Sequence, residues 1–268
     1  MKLPCNVLGV LPLLLLVWVV CGIFGTYTVA TSLNHTVSFW PPISLTGDVP
    51  PESSLFSAIF NVASLLFAVI VVFKYLHFNL CRQQFADGRW LLLLNRAAAV
   101  FGVLSALGIF LLANIQLSTW RTGHDLGAQM AFLFGGIYVW CQVVVSYAAK
   151  ADQPAGKRSM VYLRLLLAIV CTVLLICGQV ALVYMFRARN IGAKDFQYYI
   201  TWSALFQWPM VIVFLVFLAS FSREFRRMKL RLSHALVLRT EVNIESGQQN
   251  QYPTLIVEPP TEPSAEDI

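Results

Sequence analysis

The residues best placed for chemistry lie at the ends of apolar runs, not inside them. Glu52 opens one run, Asn114 and Gln116 close another, and His124-Asp125 opens a third. Acids and caps are favoured at helix starts, so capping is the plain reading of Asp125. The sharper reading is a polar cluster of Glu52, Asn114, Gln116, His124 and Asp125 on one side of a membrane. Such a cluster can hold a lipid headgroup or respond to acid, because a histidine titrates near pH 6.5. Catalytic signatures are missing: there is no H-E-x-x-H, G-x-S-x-G or Walker loop, and the four histidines are scattered. The chain therefore reads as non-enzymatic, with no catalytic, cofactor-binding or metal-binding residues and no cofactor.

The elements that must position these residues are six apolar runs, at 8–30, 55–77, 90–113, 125–149, 161–186 and 199–222. Each is close to the roughly 20 residues a helix needs to cross a bilayer. Of 268 residues, 58% are hydrophobic and 12% charged, about half the charge of an ordinary soluble domain. The expected fold class is all-α: a polytopic six-helix transmembrane bundle over 1–222. A basic juxtamembrane segment over 223–240 and a disordered tail over 241–268 complete it. Lys2 and Thr28-Val29-Ala30 resemble a signal peptide. The apolar stretch exceeds the usual signal core, which favours a retained signal-anchor helix.

Lys74, Arg82, Arg89, Lys150, Lys157, Arg158 and Arg164 flank the 2–3 and 4–5 links. With the bases after Ser222, they place both termini in the cytoplasm by the positive-inside rule. The net charge of +6 is thus a topology signal, and nucleic acid is not an expected partner. Asn34-His35-Thr36, the sole glycosylation sequon, falls on the outer side, so Asn34 is the glycosylation candidate. The mid-membrane regions read as almost free of ionisable groups, with Asn61, Gln142, Gln179 and Gln207 as interhelical glue. Small residues at Ala98, Gly102 and Ala106, and at Gly127, Ala131 and Gly135, mark close helix contacts. Pro209 suggests a kink.

Arg223, Arg226, Arg227, Lys229 and Arg231 interleave with Phe225, Met228 and Leu232. This reads as an interfacial helix on anionic lipid, or as an ordinary positive-inside anchor. In the polar tail, Tyr252-Pro253-Thr254-Leu255 has the form of a tyrosine sorting signal, with Tyr252 and Leu255 as the residues a cytosolic adaptor would read.

Together these residues resemble a family. Pro42-Ile43-Ser44, Thr46-Gly47 and Pro50-Pro51-Glu52-Ser53 with Phe56 and Asn61 are similar to the damage-regulated autophagy modulators of the Frag/DRAM/Sfk superfamily. So are Ala113-Asn114-Ile115-Gln116, His124-Asp125 with Gly127, Phe132, Gly136, Tyr138 and Gln142, and Gln207-Trp208. Ile115 stands where that family usually has Phe. The resemblance implies a six-helix lysosomal or endosomal membrane protein that promotes autophagy and links stress to cell death. The related transmembrane-150 group implies instead a plasma-membrane regulator of phosphoinositide signalling. A channel component or lipid transporter is a further alternative. Oligomeric state is not legible.

Overall fold

Each apolar run closes its backbone hydrogen bonds internally, the solution lipid demands of a spanning segment. The computed structural model describes residues 7–36, 39–82, 88–150, 155–190, 196–226, 228–232, 236–240 and 254–256. Helix α1 covers Val7–Ser32, α2 Glu52–Leu80 and α3 Arg89–Asn114. The fourth span is α4 Arg121–Gln129, a π-turn Met130–Phe134 and α5 Gly135–Tyr147. Then follow α6 Arg158–Asn190, α7 Phe196–Ala219 and the short α8 Ser222–Phe225. Among the described residues, six segments are long and apolar enough to cross a membrane.

Lipid-facing and core-facing sides are both apolar. On α6, Leu166, Ile169, Val173, Ile176, Val180 and Val183 are exposed at alternating spacings of three and four. That is one outward helical stripe, a greasy belt with no place in water. Inward, Phe67 meets Tyr138 and Phe214 edge-on, and Phe221 meets Phe217 and Tyr138 the same way, forming an aromatic axis.

The small-residue ridges do pack within the chain, but their partners differ. A Cβ on Gly102 would lie 2.6 Å from Val71 of α2. The ridge on the fourth span instead meets Ser105, Gly108 and Leu112 of α3: a Cβ on Gly127 would lie 2.7 Å from the Leu112 nitrogen. The Ser105 hydroxyl donates to the Ala131 carbonyl at 2.7 Å, at the π-turn. Helix α7 runs continuously through Pro209.

The link between α1 and α2 folds inward. Its 3-10 turn Ile43–Gly47 buries Thr46, whose hydroxyl lies 3.0 Å from that of Thr26. Gln207 accepts the Ile43 N–H at 2.9 Å, and the Trp208 indole donates to the Pro41 carbonyl at 2.8 Å. Gln207-Trp208 on α7 thus clamps this link, against expectation of bundle glue for Gln207.

The basic segment corrects the interfacial-helix expectation. Among its described residues only Ser222–Phe225 is helical; β1 Met228–Leu232 then pairs antiparallel with β2 Leu236–Thr240, and β3 Thr254–Ile256 adds to β2. The reason is visible locally. Met228-Lys229-Leu230-Arg231-Leu232 alternates strictly, and alternation of period two favours a strand. Lys229 pairs with Arg239 and Arg231 with Val237 in register. Arg227, Tyr252 and most of 241–268 lie outside the described residues, while Leu255 sits in β3 opposite Leu238.

Candidate functional site

The bundle contains a buried ionic centre near one end of its helices, outside the mid-membrane regions expected to be almost free of ionisable groups. Lys74 comes from the last two turns of α2, Arg164 from the second turn of α6, and Glu224 from α8. They are 2%, 0% and 1% exposed. One carboxylate oxygen of Glu224 accepts from Lys74, and the other accepts from Arg164 at 2.5 Å. Arg164 also donates to the Ser146 hydroxyl at 2.7 Å, the Ser220 hydroxyl at 2.9 Å and the Ser220 carbonyl at 3.3 Å. Both cations lie against the Phe221 ring, at 4.7 and 4.8 Å from its centroid.

Two cations share one carboxylate, so the site carries one excess positive charge. Isolated charge at such depth is costly. The arginine fork, the serine oxygens and the negative face of Phe221 offset part of that cost. His77 Nδ1, the Tyr138 hydroxyl and Gln142 Oε1 are buried without a hydrogen-bond partner among the described residues. The centre joins α2, α5, α6, the turn that follows α7, and α8. Ser222 extends it to α1 by donating to the Gly9 carbonyl at 2.6 Å. Fixed ion pairs that join five elements in this way hold the helices in register.

The sequence-derived polar cluster at the opposite end divides into separate contacts. Glu52 is buried and accepts from His35 Nδ1 at 2.8 Å. Asn114 forms a reciprocal amide pair with Asn61, at 2.7 and 3.1 Å. The Gln116 carbonyl accepts from Thr119 and Trp120 in a turn. His124 Nδ1 donates to the Ile115 carbonyl at 2.7 Å, since a carbonyl can only accept. Asp125 is not a cap: α4 starts at Arg121, and Asp125 pairs with Arg121 one turn back at 3.5 Å. Asn34 is exposed beyond the end of α1.

At the other end, Arg223 is exposed and reaches Met160 Sδ at 3.1 Å, while Arg226 is exposed beside Gly9. Two adjoining cavities share part of their lining: one of about 250 Å³ lies between α4, α6 and α7, and one of about 100 Å³ reaches inward among α1, α2, α3 and α7. Both are bordered by His124, Ala128, Phe132, Leu175, Gln207 and Met210.

A family model described as the Frag1/DRAM/Sfk1/Cwh43P N-terminal domain matches residues 7–228. The chain belongs to this family. The Frag1/DRAM/Sfk1/Cwh43P span takes in all six membrane helices and α8, hence every member of the ionic centre. DNA damage-regulated autophagy modulator protein 2 of Bos taurus is 31% identical over 240 residues, covering 85% of this chain and 88% of the relative. The Homo sapiens protein of that name is 30% identical over 250 residues, covering 86% and 90%. Modulator of macroautophagy TMEM150B of Danio rerio is 31% identical over 236 residues, covering 87% and 90%. No solved structure matches the chain.

Counting Lys and Arg at helix ends treats Lys74 and Arg164 as topology markers. Two signals in the sequence point inward instead. Lys74 falls on the stripe of Phe67, Ile70, Val71, His77 and Phe78, which the structure buries. Glu224 is the one acid among the bases from Arg223 to Arg239.

Proposed function

We propose that this protein is a non-enzymatic modulator of autophagy in the endolysosomal membrane, acting as a lipid-organising scaffold. The observation that carries the reading is the match of the whole membrane domain to relatives named as modulators of autophagy and macroautophagy. The ionic centre supports a scaffold: it fixes helix register and uses its charges on one another, whereas a conduction path keeps charges available to an ion. In this reading the end bearing Glu224 faces the cytosol. Arg223, Arg226, Arg227, Lys229 and Arg231 meet anionic lipid or a cytosolic partner there, and Tyr252 with Leu255 directs sorting.

Imaging a tagged copy against lysosomal and plasma-membrane markers, beside Tyr252→Ala, tests the compartment. Lysosomal wild type with a variant displaced to the cell surface is the expected result. Surface location of both overturns the endolysosomal reading and the sorting role, and favours the transmembrane-150-like alternative.

A further inference from the structure

The cavities lie apart from the ionic centre and have an opening of their own. Helix α6 packs along α7 and against α5, but α4 makes no comparable packing with it. The two helices are instead bridged by the Gln129 amide donating to the Gln179 carbonyl at 3.1 Å. Toward the start of α4 the larger cavity is bordered by Arg121, His124 and Asp125. Inward it narrows into a chamber lined by Phe60, Phe67, Ile109, Phe214 and Leu218, almost wholly apolar.

A cleft of this grading selects an amphiphile. Its α6 wall is Leu174, Leu175, Gly178 and Leu182, and the exposed face of the same helix carries Val173, Ile176 and Val180, so the medium beside α6 is acyl chain. An apolar chamber open to that medium takes a chain in preference to water. At the rim, Arg121 and Asp125 present opposite charges 3.5 Å apart, each a third or more exposed. Opposite charges side by side fit a headgroup carrying both phosphate and ammonium. Between rim and chamber the Gln207 oxygen is already engaged with Ile43, leaving its NH2 to donate to an ester carbonyl. His124, with Nδ1–H committed to the Ile115 carbonyl, keeps its Nε2 for a further hydrogen bond.

We propose that the cleft between α4 and α6 binds one zwitterionic phospholipid of the surrounding bilayer. Arg121 takes its phosphate, Asp125 its ammonium, and one acyl chain passes the Gln129–Gln179 bridge into the apolar chamber. This deepens the reading of the bundle as a lipid-organising scaffold and rests on it only for biological purpose.

The test reconstitutes the full chain in phosphatidylcholine vesicles containing a trace of photoactivatable, alkyne-tagged phosphatidylcholine. After illumination, adducts are mapped by peptide. They are expected in 121–136 and 171–185, with Ala128→Trp and Gly178→Leu each reducing them roughly tenfold, a loss near 1.4 kcal/mol. Gly178 has ordinary room for a Cβ, with Phe206 at 3.7 Å, so that variant keeps its fold if Ala128→Trp does not. Val103→Trp, on the exposed face of α3, leaves the pattern unchanged. Adducts spread evenly over the outward faces, or unaltered by Gly178→Leu in folded protein, overturn the site. Displacement of the label by phosphatidylglycerol more readily than by unlabelled phosphatidylcholine overturns the zwitterionic assignment. The vesicles contain no autophagy machinery, so failure here leaves the autophagy reading standing, and loss of that reading leaves this site standing.

Discussion

Glu224→Gln is the most revealing substitution in the ionic centre. It keeps the size of the side chain and removes the one carboxylate that Lys74 and Arg164 share. Two cations, both at most 2% exposed, are then left without an anion. Breaking a buried ion pair from one side costs about 3–5 kcal/mol. For a chain of this size that lowers Tm by roughly 6–20 °C, at about 2–4 °C per kcal/mol. Lys74→Met should behave differently. It leaves the Arg164–Glu224 pair intact and removes the excess positive charge, so its cost is about 1 kcal/mol or less, or it stabilises. Thermal unfolding of the three proteins in the same detergent gives the comparison. Equal losses for both variants, or a loss below about 2 °C for Glu224→Gln, would refute the reasoning that one carboxylate neutralises two cations.

Other consequences are checked more simply. Gly127→Val, whose new carbons meet the α3 backbone at Leu112, should overpack that crossing at about 1–3 kcal/mol; an unchanged Tm contradicts the close approach. Trp208→Phe loses the indole bond to Pro41 and should cost about 0.5–1.5 kcal/mol, with proteolysis of the 37–51 link increasing; unchanged cleavage and Tm contradict the clamp. Asn34→Gln should abolish an endoglycosidase-sensitive mobility shift, and a wild type that shows no shift removes the glycosylation expectation. Glutamine in place of Arg223, Arg226, Arg227, Lys229 and Arg231 should weaken binding of the purified chain to anionic-lipid beads, at about 1 kcal/mol per base. Unaltered retention rules out that contact.

Span number and approximate boundaries were legible because lipid demands long apolar runs whatever the bundle does inside. Which face of each run turns inward was less legible. Val173 and Ile176 face outward while Ala168 and Cys171 face inward, and all four are apolar. A polar residue reveals the inward face only when it is recognised as buried. Lys74 and Arg164 are near enough to helix ends to pass for interfacial charges, and it takes the stripe on which Lys74 falls and the lone acid Glu224 to show otherwise. Asn61 and Asn114 could be read as polar but not as a pair, because 53 positions separate them. The basic segment failed for another reason: Phe225, Met228 and Leu232 fit a helical spacing while Met228, Leu230 and Leu232 fit a strand. Neighbouring β2 supplies pairing that a local pattern does not contain.

The central claim is that this membrane bundle modulates autophagy. Its most direct measurement is autophagic flux, read as turnover of a lipidated autophagosome marker with and without lysosomal inhibition. Depleted cells are compared with cells re-expressing wild type or Glu224→Gln at matched membrane abundance. The account predicts reduced flux on depletion, restoration by wild type and weaker restoration by Glu224→Gln. Flux that does not change on depletion or re-expression would contradict it.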